Sequence, residues 1–168
     1  MIETKSDLRR FLRIEKQKNS KQSYSYIRLM RICEYLNNSP GGKRFKRLLF
    51  KIVNRARRCK GYRLGYEIGL NVFDEGLRII HTGALLINGT ARIGKNCTVI
   101  GSACIGGKGG SKAAHIGDNC ELGVFSVVIG EVEIGNNCYI GAGAVVTKSF
   151  PEDNLSIAGV PAKIVNRF

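Results

Sequence analysis

The sequence has no tryptophan, only two histidines and three prolines, and no long hydrophobic run. A membrane-spanning helix needs about 20 consecutive apolar residues, which this chain never provides. The N-terminal residues MIETKSDLRR have neither the apolar core nor the cleavage site of a secretory signal. We therefore expect a cytoplasmic protein.

Acidic residues are also scarce, with 13 Asp and Glu against 27 Lys and Arg, so the net charge is +14. The imbalance lies in residues 1–63, where 19 basic and 4 acidic residues give +15, whereas residues 64–168 have 8 and 9 and give −1. A basic protein often binds nucleic acid, but the larger part of this one has no such excess. The split predicts two domains, a basic α-helical segment over 1–63 and a near-neutral domain over 64–168.

The six cysteines contain no CxxC pair, which argues against both a disulfide framework and a zinc site. Cys97, Cys120 and Cys138 share one position of the repeat described next. Small buried residues suit that position, so we interpret them as free thiols that fill apolar space.

A six-residue repeat organises the second domain. A period of six fits neither a helix nor a single strand, but it fits a coil with three short strands per turn. Small or β-branched residues follow four places after each aliphatic residue, and the sequences GKNC, GDNC and GNNC provide Asn at turns, where positive φ is tolerated. The repeat predicts a hexapeptide β-helix, with these inward-pointing residues: Ile87, Ile93, Val99, Ile105, Ile116, Leu122, Val128, Ile134, Ile140 and Val146.

The repeat is interrupted twice. Upstream, Phe73, Ile79 and Leu85 run two residues out of step, which places an irregularity at 85–87, just after His81. We expect His81 to point outward, because an unpaired imidazole inside an apolar prism is costly. The second interruption, GGKGGSKAAH at 106–115, predicts a loop. Such a loop either contacts ligand or is a purely structural excursion.

The first domain is predicted to form three helices. Ser6 is the expected cap of the first, and the second runs from about Tyr24 to Leu36. The third has an apolar face opposite Lys and Arg. That face either packs on its neighbours or on a sister chain, or docks on an anionic membrane or polymer. The residues of this face are Phe45, Leu48, Leu49, Ile52 and Val53.

Metal catalysis is disfavoured by counting histidines. A three-histidine zinc site shared around a symmetric trimer would receive only His81 and His115, one ligand short. We therefore expect no metal.

Residues 61–168 resemble the serine acetyltransferase-like hexapeptide acyltransferases. The resemblance rests on LGYEIGLNVFDEGLRIIHTGALLINGTARIGKNC, on IGDNCELG and on IGNNCYIGAGAVVTKSFPEDNLSIAGVPAKIV. It implies a left-handed parallel β-helix, a mainly β fold, a homotrimer, and acetyl-CoA bound between adjacent prisms. The N-terminal helices are similar to those of short members associated with polysaccharide biosynthesis.

The resemblance also implies the site. The family's catalytic histidine corresponds to His81, which would act as the general base on an acceptor hydroxyl, and Glu67 lies near the family's acidic position, with Asp74 as a second option. A lone histidine after an apolar strand is otherwise often structural. The implied cofactor contacts are Gly106, Gly107, Gly123, Ala142, Lys148 and Lys163.

The acceptor stays open between L-serine and a sugar hydroxyl. Serine acetyltransferases have an acidic residue before the catalytic histidine, where this chain has Ile80. They have Arg-His-Pro where it has Ala113, Ala114 and His115. Val124 occupies a coil position that usually holds a small residue, so its side chain is expected to narrow the groove. These departures favour a sugar, whereas the overall similarity favours serine. A different class also remains, a non-catalytic β-helix scaffold that recruits partners through its basic helices.

Overall fold

The computed structural model describes residues 1–40, 43–110 and 112–168, and three helices precede a series of short strands. The helices are α1 (Lys5–Lys18), α2 (Lys21–Asn38) and α3 (Lys43–Leu64). The strands are β1 (Tyr66–Ile68), β2 (Arg78–Ile79), β3 (Leu85–Ile87), β4 (Arg92–Ile93), β5 (Thr98–Val99), β6 (Ala103–Gly106), β7 (His115–Ile116), β8 (Glu121–Leu122), β9 (Ser126–Ile129), β10 (Glu133–Ile134), β11 (Tyr139–Ile140), β12 (Val145–Val146), β13 (Leu155–Ala158) and β14 (Lys163–Arg167).

Successive strands are distributed in rotation over three sheets, so the chain winds as a coil. We name the sheets face A (β1-β3-β6-β9-β12), face B (β4-β7-β10) and face C (β2-β5-β8-β11-β13-β14). Neighbouring strands are parallel except β13 and β14. This architecture confirms the predicted fold class, a mainly β parallel β-helix of hexapeptide repeats behind an α-helical segment.

The hexad residues fill the interior as predicted. Ile116, Leu122, Ile140 and Val146 are completely buried, and burial alternates along the parallel strands, β1 to β13. Burying such a side chain stabilises the fold by about 1.5–3 kcal/mol. The six cysteines are free, and the three in the repeat are buried as predicted.

A ladder of asparagines runs along the corner between faces B and C. Asn96, Asn119, Asn137 and Asn154 have φ values of 57°, 56°, 53° and 61°. Each Nδ2 in the first three donates to the Oδ1 of the next, at 3.1, 3.1 and 3.0 Å. Lys18 of α1 adds a hydrogen bond from its Nζ to Asn96 Oδ1 at 2.9 Å. The predicted role of Asn in GKNC, GDNC and GNNC is confirmed.

Two helix predictions need correction. α1 is capped by Thr4 rather than Ser6, because Thr4 and Asp7 form a reciprocal capping box in which Asp7 N donates to Thr4 Oγ1 and Thr4 N to Asp7 Oδ2. α2 extends beyond the predicted Tyr24–Leu36 at both ends, since Ser20 caps its N-terminus.

The helices and the first coils share one hydrophobic core, which includes Tyr26, Ile27 and Met30 of α2. Asn19 clamps α1 to β2, since its Oδ1 accepts from Ile79 N at 2.7 Å and its Nδ2 donates to Leu77 O at 2.8 Å. The division of the chain at residues 63 and 64 stays a prediction, although the change from helix to strand falls there.

The first repeat irregularity lies before the position that the sequence suggested. Leu85 and Ile87 both point inward on a regular strand, paired with Ala103 and Ile105 of β6. The extra residues are in the preceding turn, which has five residues (80–84) where the equivalent turn of the next coil has three (100–102). The prediction of an irregularity at 85–87 was therefore wrong, and the enlarged turn is the one that contains His81.

Candidate active site

His81 lies on the enlarged turn between β2 and β3, with its side chain exposed as predicted. Its backbone remains tied to the next coil, because His81 N donates to Ile100 O at 3.1 Å and Ile80 N to Val99 O at 3.0 Å. The imidazole therefore extends into solvent from a fixed backbone. Such a group is available to exchange a proton with a bound molecule.

Small residues and a valine stack beneath His81. We name the turns 80–84, 100–102, 123–125 and 141–144, which lead from face C to face A, the His81 corner. A Cβ on Gly101 would lie 3.5 Å from Val124 and 3.9 Å from the His81 Cβ. Ser102 supports the enlarged turn, since its Oγ accepts from Ala84 N at 3.1 Å. The His81 corner therefore consists of stacked turns with mostly small side chains, and the imidazole is on the first of these turns.

Neither carboxylate considered for orienting His81 is hydrogen-bonded to it within the described part of the chain. Glu67 lies on β1, exposed and paired with Leu86 of β3. Asp74 lies at a different corner, where its Oδ1 accepts from Glu75 N at 2.8 Å. The role of Glu67 therefore stays a prediction.

The six cofactor positions implied by the resemblance do not form one cluster in a single chain. Gly123 and Ala142 belong to the His81 corner. Gly106, Gly107 and Lys148 lie at the opposite edge of face A, which we name the loop corner (residues 88–91, 107–110, 112–114, 130–132 and 147–149). Lys163 begins β14 and is exposed opposite Ala158. Face A separates the two corners.

Gly123 has a packing role that the sequence reasoning missed. It is buried, and a Cβ there would lie 2.6 Å from Ala142 N and 2.7 Å from Ile140 O of the next coil. Real Cβ contacts are essentially never so short, so glycine is required for the coils to stack. Ala142, in contrast, is exposed.

A cavity of about 630 Å³ opens between α3 and the outer side of the first coil, and its lining runs from Ala84 of the His81 corner to Asn88 of the loop corner. His81 is not among the lining residues. The lining combines aromatic rings, two guanidinium groups and a carboxylate. Burial raises the pKa of Tyr26 and of Tyr66, which keeps both phenols protonated. Arg57 fixes the floor through hydrogen bonds from Nη1 to Tyr26 OH and Ile68 O. The remaining polar side chains of the lining are Arg58, Tyr62, Glu67 and Asn88.

His115, the second histidine, lies away from this corner. It is exposed on β7 of face B, between Arg92 of β4 and Glu133 of β10. Among the described residues, no group of three or more His, Cys, Asp or Glu side chains could hold a metal ion.

The repeat, the three faces and the triangular winding define a hexapeptide-repeat β-helix protein. Consistently, the family model described as bacterial transferase hexapeptide (six repeats) matches residues 113–148. The chain is 31% identical over 131 residues to serine acetyltransferase 2 of Arabidopsis thaliana, covering 71% of this chain and 40% of that protein. It is 36% identical over 103 residues to the putative colanic acid biosynthesis acetyltransferase WcaB of Escherichia coli K12. This match covers 60% of this chain and 63% of that protein.

Solved structures show the same fold over nearly the whole chain. The serine acetyltransferase of Brucella abortus strain S19 superimposes with a TM-score of 0.80 at 20% identity, covering 97% of this chain and 70% of that one. Its complex with coenzyme A gives 0.79 at 21% identity, covering 97% and 69%. The chain is therefore similar in sequence to serine acetyltransferases and to a putative polysaccharide acetyltransferase, and it shares the hexapeptide-repeat fold of solved serine acetyltransferases. It spans less than half the length of the Arabidopsis relative and about 63% of the WcaB protein.

Proposed function

We propose that the protein is an acetyl-CoA-dependent O-acetyltransferase in which His81 is the general base. The observation that carries the proposal is the exposed imidazole of His81 on an enlarged turn of a β-helix, in a chain that is 31% and 36% identical to acetyltransferases over 131 and 103 residues. The neutral imidazole accepts the proton of an acceptor hydroxyl while that oxygen attacks the thioester carbonyl. The C–S bond then breaks, and the thiolate of CoA takes the proton from His81, so acetyl ester and CoA are the products. A positioned base of this kind contributes about 10²–10⁴-fold in rate.

A homotrimer would bring the separated cofactor positions together. On face A, Glu67 of β1 is followed by an apolar column of outward side chains, Leu86, Cys104, Val127 and Val145, which are cross-strand neighbours. In a threefold assembly with face A toward the axis, the His81 corner of one prism lies beside the loop corner of the next. That arrangement would place Gly123 and Ala142 next to Gly106, Gly107 and Lys148 of a neighbouring chain. It supports an acetyl-CoA groove between prisms.

The two lysines would contribute charge to this groove. Lys148 and Lys163 are exposed, and the Lys148 ammonium lies 5.5 Å from the Phe150 ring centroid. An ammonium suits the phosphates of CoA, while small residues allow the pantetheine arm to approach backbone amides. Glu67 remains the carboxylate that we propose to orient His81. In this proposal the contact between the two side chains forms when the trimer assembles or when the acceptor binds.

For the acceptor, a sugar hydroxyl is favoured over L-serine. The cavity between α3 and the first coil is large for serine, and its Tyr62 ring, Arg58 guanidinium and Glu67 carboxylate suit a polar ring with several hydroxyls. Ile80 and Ala113 also replace residues that hold serine in the family. The similarity to WcaB, named for colanic acid biosynthesis, points the same way.

Substitution of the two histidines tests the catalytic proposal. His81→Ala is expected to abolish the release of CoA from acetyl-CoA with an acceptor, while His115→Ala, the matched control on face B, keeps it. Both variants should elute at the size of the wild-type oligomer. Equal CoA release by His81→Ala and wild type would remove His81 from the mechanism.

An acceptor screen separates the remaining readings. L-serine is compared with nucleotide-linked and lipid-linked sugars in the same CoA-release assay. Turnover with sugars and little with serine supports our preference, and strong serine turnover contradicts it. No CoA release with any acceptor, together with no acetyl-CoA binding by calorimetry, would favour the non-catalytic scaffold that recruits partners through its basic helices.

We further propose a cytoplasmic enzyme that is peripheral to the membrane, through the basic residues 1–63. The excess of 15 positive charges in this segment is the observation behind it.

A further inference from the structure

Helix α3 has a row of apolar side chains that the rest of the chain leaves uncovered. Phe45, Leu48 and Ile52 are 74%, 58% and 59% exposed, and none of the apolar side chains described for α3 is in the buried core. Helix α2, in contrast, buries Tyr26, Ile27, Met30 and Cys33. In a single chain, therefore, Phe45, Leu48 and Ile52 do not pack on the neighbouring helices. The predicted packing of the third helix through these residues is not formed.

The exposed residues lie along one line of the helix. We name Phe45, Leu48, Ile52, Ala56 and Cys59 the α3 stripe, because their spacings of three and four residues keep them on one face. All five are exposed. A helix of 22 residues is about 33 Å long, so the stripe is an extended apolar strip. A continuous exposed strip of this kind usually marks an interaction surface.

The charge of α3 is entirely of one sign. The helix has ten Lys and Arg and no Asp or Glu, as its sequence KRFKRLLFKIVNRARRCKGYRL shows. Arg44, Arg47, Lys51 and Arg55 are exposed near the stripe. No described helix is long and apolar enough to cross a membrane. An apolar strip bordered by basic side chains is typical of a helix that lies in the plane of an anionic membrane surface.

A second copy of α3 is a poorer occupant of the stripe. In a heptad register with Phe45, Ile52 and Cys59 at a, Arg55 falls at d in the middle of the seam. The g positions are Arg44, Lys51 and Arg58, and the e positions, Leu49, Ala56 and Arg63, offer no acidic partner. A coiled coil is stabilised by e–g pairs of opposite charge. Parallel α3 helices around an axis would instead repel one another.

We propose that α3 docks in the plane of an anionic lipid bilayer. The α3 stripe enters the boundary between headgroups and acyl chains, and the flanking Lys and Arg meet lipid phosphates. Basic side chains near such a surface strengthen binding to anionic lipid. The inference deepens the proposed function, because a membrane-bound enzyme is close to a lipid-linked acceptor. Only this link to a lipid-linked acceptor rests on the proposed function. Docking itself does not depend on catalysis.

The absence of tryptophan allows a direct test with one introduced fluorophore. Phe45→Trp places the reporter in the stripe. Phe168→Trp is the matched control, because Phe168 is 72% exposed but lies at the far end of the chain, beyond β14. Vesicles of equal parts phosphatidylglycerol and phosphatidylcholine should shift the Phe45→Trp emission to shorter wavelength. Vesicles of phosphatidylcholine alone should not, and Phe168→Trp should shift with neither.

Sedimentation with the same vesicles measures affinity. Phe45→Asp and Ile52→Asp are expected to weaken binding about tenfold or more, because each removes a large apolar side chain from the boundary region. Phe168→Asp should bind as the wild type does. These positions are exposed, and circular dichroism checks that the variants fold.

The outcomes distinguish docking on lipid from self-association and from failure of the enzyme proposal. Vesicle binding that is unchanged in Phe45→Asp and Ile52→Asp overturns the inference. So does a change of oligomer size in these variants, measured by light scattering without lipid, since a second copy would then cover the stripe. CoA release that is absent while the stripe-dependent vesicle binding persists would contradict only the proposed function.

Discussion

Arg31 Nη2 lies 2.6 Å from Glu15 Oε1, and both side chains are buried where α1 and α2 meet the first coil. Arg31 also donates from Nη1 to Glu34 Oε2 and to the carbonyl of Phe73, and from Nη2 to the carbonyl of Asp74. Burial raises the pKa of Glu15, while the charge of Arg31 and its hydrogen bonds oppose that rise. One guanidinium therefore joins two helices to the β-helix.

Replacement of Arg31 should destabilise the protein severely. Arg31→Met leaves Glu15 and Glu34 buried without their cation, so we expect a loss of about 3–5 kcal/mol in the free energy of unfolding. Urea denaturation measures it. Arg28→Met, an exposed arginine on the same helix, is the control and should change stability by less than about 0.5 kcal/mol. Equal effects from both substitutions would mean that the buried cluster has no special role.

The thiols should differ strongly in reactivity. Burial raises the pKa of Cys33 to about 11, that of Cys120 to about 12 and that of Cys97 still further, so their thiolates are negligible near neutral pH. Cys59 on α3 is exposed. A colorimetric thiol reagent at pH 8 should therefore react fast at Cys59 and more slowly at the half-buried Cys104, and it should react with the four buried thiols only after unfolding. Cys59→Ser should remove the fast phase, and persistence of that phase would contradict the assignment.

The side-chain hydrogen bonds of the asparagine ladder and its left-handed backbone conformation should each contribute to the free energy of unfolding. Asn119→Gly keeps the positive φ but removes hydrogen bonds to Asn96 and Asn137, so we expect a loss of about 1–2 kcal/mol. Asn119→Ala adds the strain of a left-handed residue, about 1–2 kcal/mol more. Asn166→Ala, on the exposed strand β14, is the control. If Asn119→Gly and Asn119→Ala unfold at the same urea concentration, backbone conformation is not the reason for asparagine there.

The sequence was sufficient to predict the coil, because a six-residue period determines which side chains point inward. It also predicted that Asn96, Asn119 and Asn137 adopt positive φ. It did not predict their ladder, since side-chain hydrogen bonds between coils depend on the three-dimensional stacking of residues 17 to 23 positions apart. The Arg31 cluster was missed for a similar reason, because the periodicity of α2 does not show which polar residue faces the coil.

The candidate site was predictable only in part. The resemblance pointed to His81, and the change of phase indicated an irregularity nearby. Counting could not place the two extra residues, because Leu85 and Ile87 are both inward-pointing and either fits the hexad. Glu67 as the partner of His81 stays a prediction, because spacing along the sequence does not show that Glu67 lies on face A, opposite Leu86.

Gly123 distinguishes a residue needed for coil stacking from one needed for cofactor binding. A Cβ there would meet Ala142 N at 2.6 Å, whereas a Cβ on Gly89 would have no contact closer than 3.9 Å. Gly123→Ala should therefore lower the free energy of unfolding by about 1–3 kcal/mol, as overpacking does, because the next coil must shift. Gly89→Ala is the control and should change it by less than about 1 kcal/mol. Any loss of acetyl-CoA affinity in Gly123→Ala, measured by calorimetry, should accompany this lower stability. Weaker acetyl-CoA binding at unchanged stability would instead assign Gly123 to the cofactor groove itself and contradict the packing role.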